Sequence, residues 1–280
     1  MRKLLSANFA RLWQIKIFWL LECLCFAFGA FVYILVAINT RNIGQGWLEY
    51  EAHGYFYILI FPLAVMISLF TCFFIGVDHS DGCIRNKLIV GHSRKTIYLS
   101  FFFTVLAVSL LLVLAYLLAV ILVGMPLSGP DVLRAVELQP WRLLGCFLII
   151  GECAALFTLL SIMDTNVARN VVVSLAVAVV LILSGMYVYH KLSQPEFIPI
   201  VSRTSDGYIL LENGDPNPNY LTGMTRILYE WLTILLPYGA AALSLDKRAS
   251  FDYRIPLISI VTILLLTFCG IRLFKNKDIK

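Results

Sequence analysis

Two carboxylates and one cluster of cations are the residues of this sequence whose placement could do chemistry or mechanical work. Glu22 and Glu152 lie within long apolar runs, Glu22 near the start of the first and Glu152 inside the fourth. A carboxylate at membrane depth is costly unless it is paired or faces water, so an acid there can take up a proton or ion or line a pathway. Glu152 is the sharper candidate for a place on a translocation pathway. It could equally be a hydrogen-bonded packing residue. The cations form a polar island, Asp78 to Ser100 (DHSDGCIRNKLIVGHSRKTIYLS), in which Arg85, Lys87, Arg94 and Lys95 follow Asp78 and Asp81. Polar backbone and charged side chains cannot stay in hydrocarbon without partners, so the island must face water or another protein.

Other chemistry has little to stand on. The phosphate-binding pattern G-x-x-x-x-G-K-[ST] does not occur; Gly91 to Thr96 (GHSRKT) has a lysine-threonine pair but lacks the second glycine. H-E-x-x-H and G-x-S-x-G are absent too. The four histidines, His53, His79, His92 and His190, fall in loops or at the ends of apolar runs and read as solvated residues. Of the seven cysteines, six lie in apolar runs and Cys83 lies in the island, with no C-x-x-C pair. Neither a disulfide framework nor a metal site is expected, and the cysteines read as small core residues. No catalytic residue, cofactor or metal is expected on this chain; ATP and Mg2+, if they power it, belong to a partner.

These residues must be positioned by membrane helices. The chain has 280 residues, 60% hydrophobic and only 14% charged, far more apolar than a soluble domain. A helical span needs about 20 apolar residues. Six runs qualify, at about Ile17–Ile38, Tyr55–Val77, Ile97–Val123, Leu143–Met163, Val171–Tyr189 and Ile255–Phe274. The first is too long for a signal-peptide core and has no clear cleavage site after it, so it reads as an uncleaved span. The expectation is an all-α, polytopic membrane protein: a single membrane domain over 1–280 in the lipid bilayer.

Residues 1–16 carry Leu5, Phe9, Leu12 and Trp13 at helical spacing among Lys3, Arg11 and Lys16, the pattern of a short amphipathic helix at the membrane surface. With the N-terminus inside and six spans, the inner segments collect most of the cations, from Arg2 and Arg11 through the island to Arg169, Lys275 and Lys280. The short outer loops hold only Arg41, Arg134 and Arg142. The positive-inside rule therefore predicts both termini and the island (78–96) on the cytoplasmic side. The net charge of +5 is an orientation signal, with no aromatic-interleaved stripe suited to nucleic acid. The connection 190–254 is then external. Its first part is turn-rich, most of all from Asn213 to Pro218. Its second part is an apolar run, Ile227–Leu245, broken by Pro237-Tyr238-Gly239. Two short helices in a re-entrant or interfacial hairpin fit that break.

Within the island, Cys83–Val90 has room for about two helical turns after Asp81-Gly82, and Gly91 is a natural stop. Ile84 and Leu88 stand i, i+4 and would share one face with Lys87 nearby, an apolar ridge with cationic flanks suited to a groove on a partner.

The segment Ser80 to Arg94 (SDGCIRNKLIVGHSR), with Ile97-Tyr98-Leu99-Ser100 after it, resembles the first cytoplasmic loop of bacterial type 2 ATP-binding-cassette exporter permeases, the small permeases of peptide, antibiotic or multidrug export. Their pattern runs close to D-G-T-I-R-N-K and then G-x-S-R; Cys83 stands here where threonine is common. The resemblance extends to the layout of N-terminal helix, six spans and external hairpin. It implies that this loop is a coupling helix docked on a separate cytoplasmic ATPase subunit, with Asp81, Gly82, Ile84, Arg85, Asn86, Lys87, Leu88 and Gly91 forming the contact. It also implies a second permease subunit, as a homo- or heterodimer. The rivals are an ion-coupled secondary carrier working through Glu152 and a membrane scaffold without transport of its own.

Overall fold

A long apolar run can satisfy its backbone in hydrocarbon only as helix, and each of the six runs is one. The computed structural model describes residues 1–43, 53–129, 140–198, 200–204, 207–211, 214–246 and 252–277. Arg134, Asn213 and Lys280, which enter the charge and turn arguments above, lie outside the described residues.

Helix α1 (Arg2–Leu12) precedes α2 (Lys16–Ile43). A helical turn at 53–57 leads into α3 (Ile60–Ser80), and α4 (Cys83–Ile89) is the short helix of the island. Helix α5 (Arg94–Ala119) continues through a π-turn, Val120–Gly124, to Ser128. Then come α6 (Pro140–Met163) and α7 (Val167–Leu192). Strands β1 (Ile200–Thr204) and β2 (Gly207–Leu211) pair antiparallel with Ile200 opposite Leu211, a small hairpin among described elements that are otherwise helical, and one that the turn-rich sequence did not announce. Helices α8 (Gly223–Leu235), α9 (Pro237–Leu245) and α10 (Arg254–Asn276) complete the order.

Among the described residues six helices are long and apolar enough to cross a membrane. The second begins at His53 and ends at Ser80, and the third runs from Arg94 to Ser128, each a few residues beyond the apolar run that marks it. Helices α3 and α6 bury most of their faces, and α6 packs against α3, α5, α9 and α10. Helices α7 and α10 keep broad apolar faces outward, with Val180, Leu183, Leu264 and Phe268 exposed. In a bilayer such faces meet acyl chains at no cost.

The broken apolar run folds as two helices at 95° to each other. Pro237 starts α9, where a missing N–H is harmless. Helix α8 leaves Ile227, Leu228, Trp231 and Leu235 exposed, whereas α9 buries Tyr238, Ala240, Ala241 and Ala242. The Tyr238 hydroxyl reaches Cys153 Sγ in α6 at 3.2 Å. Helix α9 can approach α7 closely because Gly185 meets Gly239: a Cβ on Gly185 would lie 2.5 Å from the Gly239 nitrogen.

Several histidines and an arginine depart from their sequence reading: His79 is half-buried with Nε2 3.1 Å from the Ile162 carbonyl. His53 and Arg142 are fully buried rather than solvated in loops. Arg142 donates to the Ser244 and Asp246 carbonyls at 3.4 and 3.1 Å and to His53, whose Nε2 also lies 3.1 Å from the Ser244 carbonyl. Tyr189 at the end of α7 donates to Asp246 at 3.2 Å. This network ties α6, α7 and α9 together at the end of the bundle opposite the island.

Candidate functional site

The middle of the island is a short helix, α4, bracketed by two glycines. Gly82 caps α4 at φ +67° and Gly91 ends it at φ +95°, conformations that cost a side chain but not glycine. Neither glycine has anything within 4 Å of where a Cβ would stand, so backbone conformation alone requires them. At the C-terminus His92 N–H donates to the Lys87 carbonyl (3.1 Å) and Gly91 N–H to the Leu88 carbonyl (3.0 Å), a Schellman closure that satisfies the last carbonyls. Ser93 then caps α5, accepting from Thr96 N–H at 3.2 Å.

The orientation of α4 differs from the amphipathic reading. Ile84 is buried at 1% exposure and Leu88 is half-buried against the core, so the pair anchors α4 to its own protein instead of forming an outward ridge. Lys87 also points inward. Its ammonium donates to Asp78 Oδ2 at 2.6 Å and stands 4.6 Å from the centre of the Phe101 ring. The outward side chains are Asp81, Arg85, Asn86, Ile89 and Val90, the last two at 72% and 77% exposure. The apolar part of the presented surface is therefore Ile89–Val90, the two residues that follow Leu88. Gly91 is exposed at its edge and Lys95 follows.

Asp78, in the last turn of α3, is only 1% exposed. Its second oxygen is paired with Arg11 of α1. Arg11 also donates to the Phe74 carbonyl at 2.8 Å and lies 4.6 Å above the Phe74 ring. Burial, and then the nearby Arg11 guanidinium, pull the Lys87 ammonium down from 10.5 to about 8. The other basic residue of the island's core, Arg94, donates to the Phe274 carbonyl at 2.7 Å and to that of Lys277, closing the C-terminal end of α10. Lys277 in turn donates to the Ile162 carbonyl of α6 at 2.8 Å.

Sequence reasoning missed Arg11, Asp78 and Phe274 as the residues that support this site from behind, outside the surface that α4 presents. The available signal was an acid, Asp78, set before the helix break where the apolar run ends. A carboxylate there needs a cation, and the amphipathic N-terminal segment supplies one.

Glu152 sits at 4% exposure where α6 packs on α10, and its carboxyl meets the Ser259 hydroxyl. The neighbouring Gly151 lies close to Ile263 of α10. A cavity of about 100 Å³ opens between α3, α5 and α6, lined by Tyr57, Leu63, Val113, Tyr116, Cys146 and Ile150 among other apolar groups, and Glu152 is not part of its wall. Among the described residues no group of three His, Cys, Asp or Glu side chains could hold a metal ion.

A protein-family model described as ABC-2 family transporter protein matches residues 4–185. That stretch begins in α1, contains the whole island and reaches far into α7. Comparison with curated proteins returns no match. The match covers well over half the chain and includes the helix, turn and glycine arrangement just described, so this multi-pass membrane protein belongs to the ABC-2 transporter family as a permease, the kind of subunit that pairs with an ATP-binding partner.

Proposed function

We propose that the chain is the membrane subunit of an ATP-driven exporter in a bacterial cytoplasmic membrane. The carrying observation is the island: a seven-residue helix, bracketed by glycines and fixed from behind, that turns Arg85, Asn86, Ile89 and Val90 outward. A small apolar tip one helical turn beyond a guanidinium and an amide suits a groove with acidic walls on an ATP-binding subunit. ATP and Mg2+ act on that partner, whose closure pushes α4. The push passes through the capped turn at Ser93 into α5 and shifts the spans between inward- and outward-facing states.

Two permease copies, identical or similar, face each other around the path, each with its ATP-binding subunit. Both termini lie in the cytoplasm, α1 rests at the inner headgroups, and the β-hairpin and the α8–α9 pair face outward. The cargo is a peptide, antibiotic or other small amphipathic molecule. Glu152 is assigned to packing between α6 and α10, because its carboxyl is enclosed there with Ser259.

The test is co-expression with the ATP-binding subunit and pull-down on the permease. Arg85→Glu, Ile89→Asp and Val90→Asp should each abolish co-purification and ATP-driven transport while the permease melts as the parent does. Unchanged binding and transport in all three would refute the coupling role. Transport by the permease alone in proton-gradient liposomes, lost in Glu152→Gln, would establish the carrier reading instead.

A further inference from the structure

We infer that Asp78 is a positioning residue that yokes α1 to α4, so that displacement of the coupling helix reaches the first span through α1 as well as the third span through α5. The yoke stands on geometry alone; its role as an output of the stroke rests on the proposed function.

Each oxygen of the Asp78 carboxylate is committed to a different element, Oδ1 to Arg11 of α1 and Oδ2 to Lys87 of α4, the latter at 2.6 Å. Each cation also rests on an aromatic ring. Arg11 lies over Phe74 and Lys87 over Phe101, each at 4.6 Å, and the two rings meet edge to face at 6.1 Å. The carboxylate, two cations and two rings form one cluster at the junction of α1, α3, α4 and α5, with the carboxylate buried and the two cations part-buried.

Helix α1 has a second seat on the bundle. Asn8 is buried at 2% exposure and its amide donates to the Ser100 and Thr104 hydroxyls of α5, both at 3.4 Å. Leu4, Asn8 and Leu12 form the buried face. A helix that merely floated on headgroups would present apolar side chains there and leave its arginine solvated. At its other end α1 turns into α2 through a short aromatic corner. Trp13 packs against Phe18 at 5.6 Å, and Trp19 Nε1 donates to the Trp13 carbonyl at 3.0 Å. A movement of α1 therefore has a stiff route into α2.

The charge count gives the yoke a signature. Removing either cation leaves one neutral pair in the cluster. Removing the Asp78 charge leaves Arg11 and Lys87 with no anion between them, so the two cations push apart or Lys87 sheds its proton, and in either case both ties are lost at once. Asp78→Asn should therefore loosen α4 more than Arg11→Gln or Lys87→Gln does, and Asp78→Glu should restore the tie.

The experiment has two arms. In the first, spin labels are placed at Ala7→Cys and Asn86→Cys, both exposed, in a permease with Cys23, Cys83 and Cys269 replaced by serine, in lipid nanodiscs without any partner. The parent should give one narrow distance. Asp78→Asn should at least double its width, Arg11→Gln should widen it less, and Asp78→Glu should return it. A distribution as narrow in Asp78→Asn as in the parent overturns the yoke. If Asp78→Asn does not accumulate, Arg11→Gln carries the same test, since it retains the Asp78–Lys87 pair, and an unchanged width there overturns the proposal.

In the second arm, unlabelled variants are reconstituted with the ATP-binding subunit. Asp78→Asn and Arg11→Gln should retain co-purification and ATP hydrolysis within about two-fold and lose transport ten-fold or more. Full transport in Arg11→Gln, with the distance broadened, overturns α1 as an output. Absence of ATP-driven transport in the parent counts against the proposed function, and the first arm still decides the yoke.

Discussion

Arg94, the first residue of α5, donates to the Phe274 carbonyl in the last turn of α10 at 2.7 Å, across 180 residues of sequence. The last carbonyls of a helix have no partner within it, and a cation there both satisfies them and opposes the helix dipole. Arg94→Gln should therefore fray the end of α10. The expected loss is about 1–2 kcal/mol locally. Amide exchange over Leu273–Asn276 should accelerate about ten-fold in nanodiscs, while the middle of α10 should exchange as before. Uniform exchange in the two proteins would show that the contact carries no stability.

The inward turn of α4 predicts an asymmetry between two neighbouring isoleucines. Ile84 is 1% exposed and Ile89 is 72% exposed. Ile84→Ala should destabilise the permease by about 2–5 kcal/mol, through lost burial and the cavity left behind. Ile89→Ala should stay within about 0.5 kcal/mol. Thermal melts of the detergent-solubilised permease alone measure both; equal shifts would show that Ile84 does not anchor α4, and a larger loss at Ile89 would place α4 the other way round.

Lys87 should titrate near pH 8, which 13C-methyl NMR of the methylated lysine, assigned by Lys87→Arg, can read. The groups around it are Asp78, Arg11 and Cys83. Arg11→Gln should raise the value and Asp78→Asn should lower it. The sign for stability follows from linkage. Between about 8 and 10.5 the unfolded chain holds the Lys87 proton and the folded chain does not, so this group makes folding more favourable as pH rises across that window. The tie to Asp78 weakens over the same range because the ammonium is lost. Mobility of α4 should thus increase above pH 8 with no fall in melting temperature attributable to Lys87.

Gly185 should tolerate no side chain. A Cβ there would stand 2.5 Å from the Gly239 nitrogen and the Tyr238 carbonyl carbon, both backbone atoms that cannot yield without moving α9. Gly185→Ala should cost about 1–3 kcal/mol by overpacking. The shift of α9 should also break the contact between Tyr238 and Cys153, raising the labelling rate of Cys153, which is buried in the parent. An unaltered melt and labelling rate would mean that α7 and α9 do not pack this closely.

The sequence by itself determined the features that depend on local chemistry. Six spans follow from run length and hydropathy, because a backbone in hydrocarbon has no choice but helix. The bend at Leu236 follows from Pro237, and the brackets of α4 follow from Gly82 and Gly91, since glycine adopts a positive φ without the cost a side chain would add. The family resemblance of the island was legible for the same reason: its motif is contiguous. Only the tertiary structure decided which way the island faces. An i, i+4 pair such as Ile84 and Leu88 suits a partner's groove or the protein's own core equally well, and the choice rests on Asp78 and Phe101 from two other helices. Likewise Arg142 and His53 read as loop residues, because the Ser244 and Asp246 carbonyls that hold Arg142 lie 102 and 104 residues away. A charge looks solvated in sequence when its partners are distant, and burial reverses that reading wherever folding brings the partners within hydrogen-bond reach.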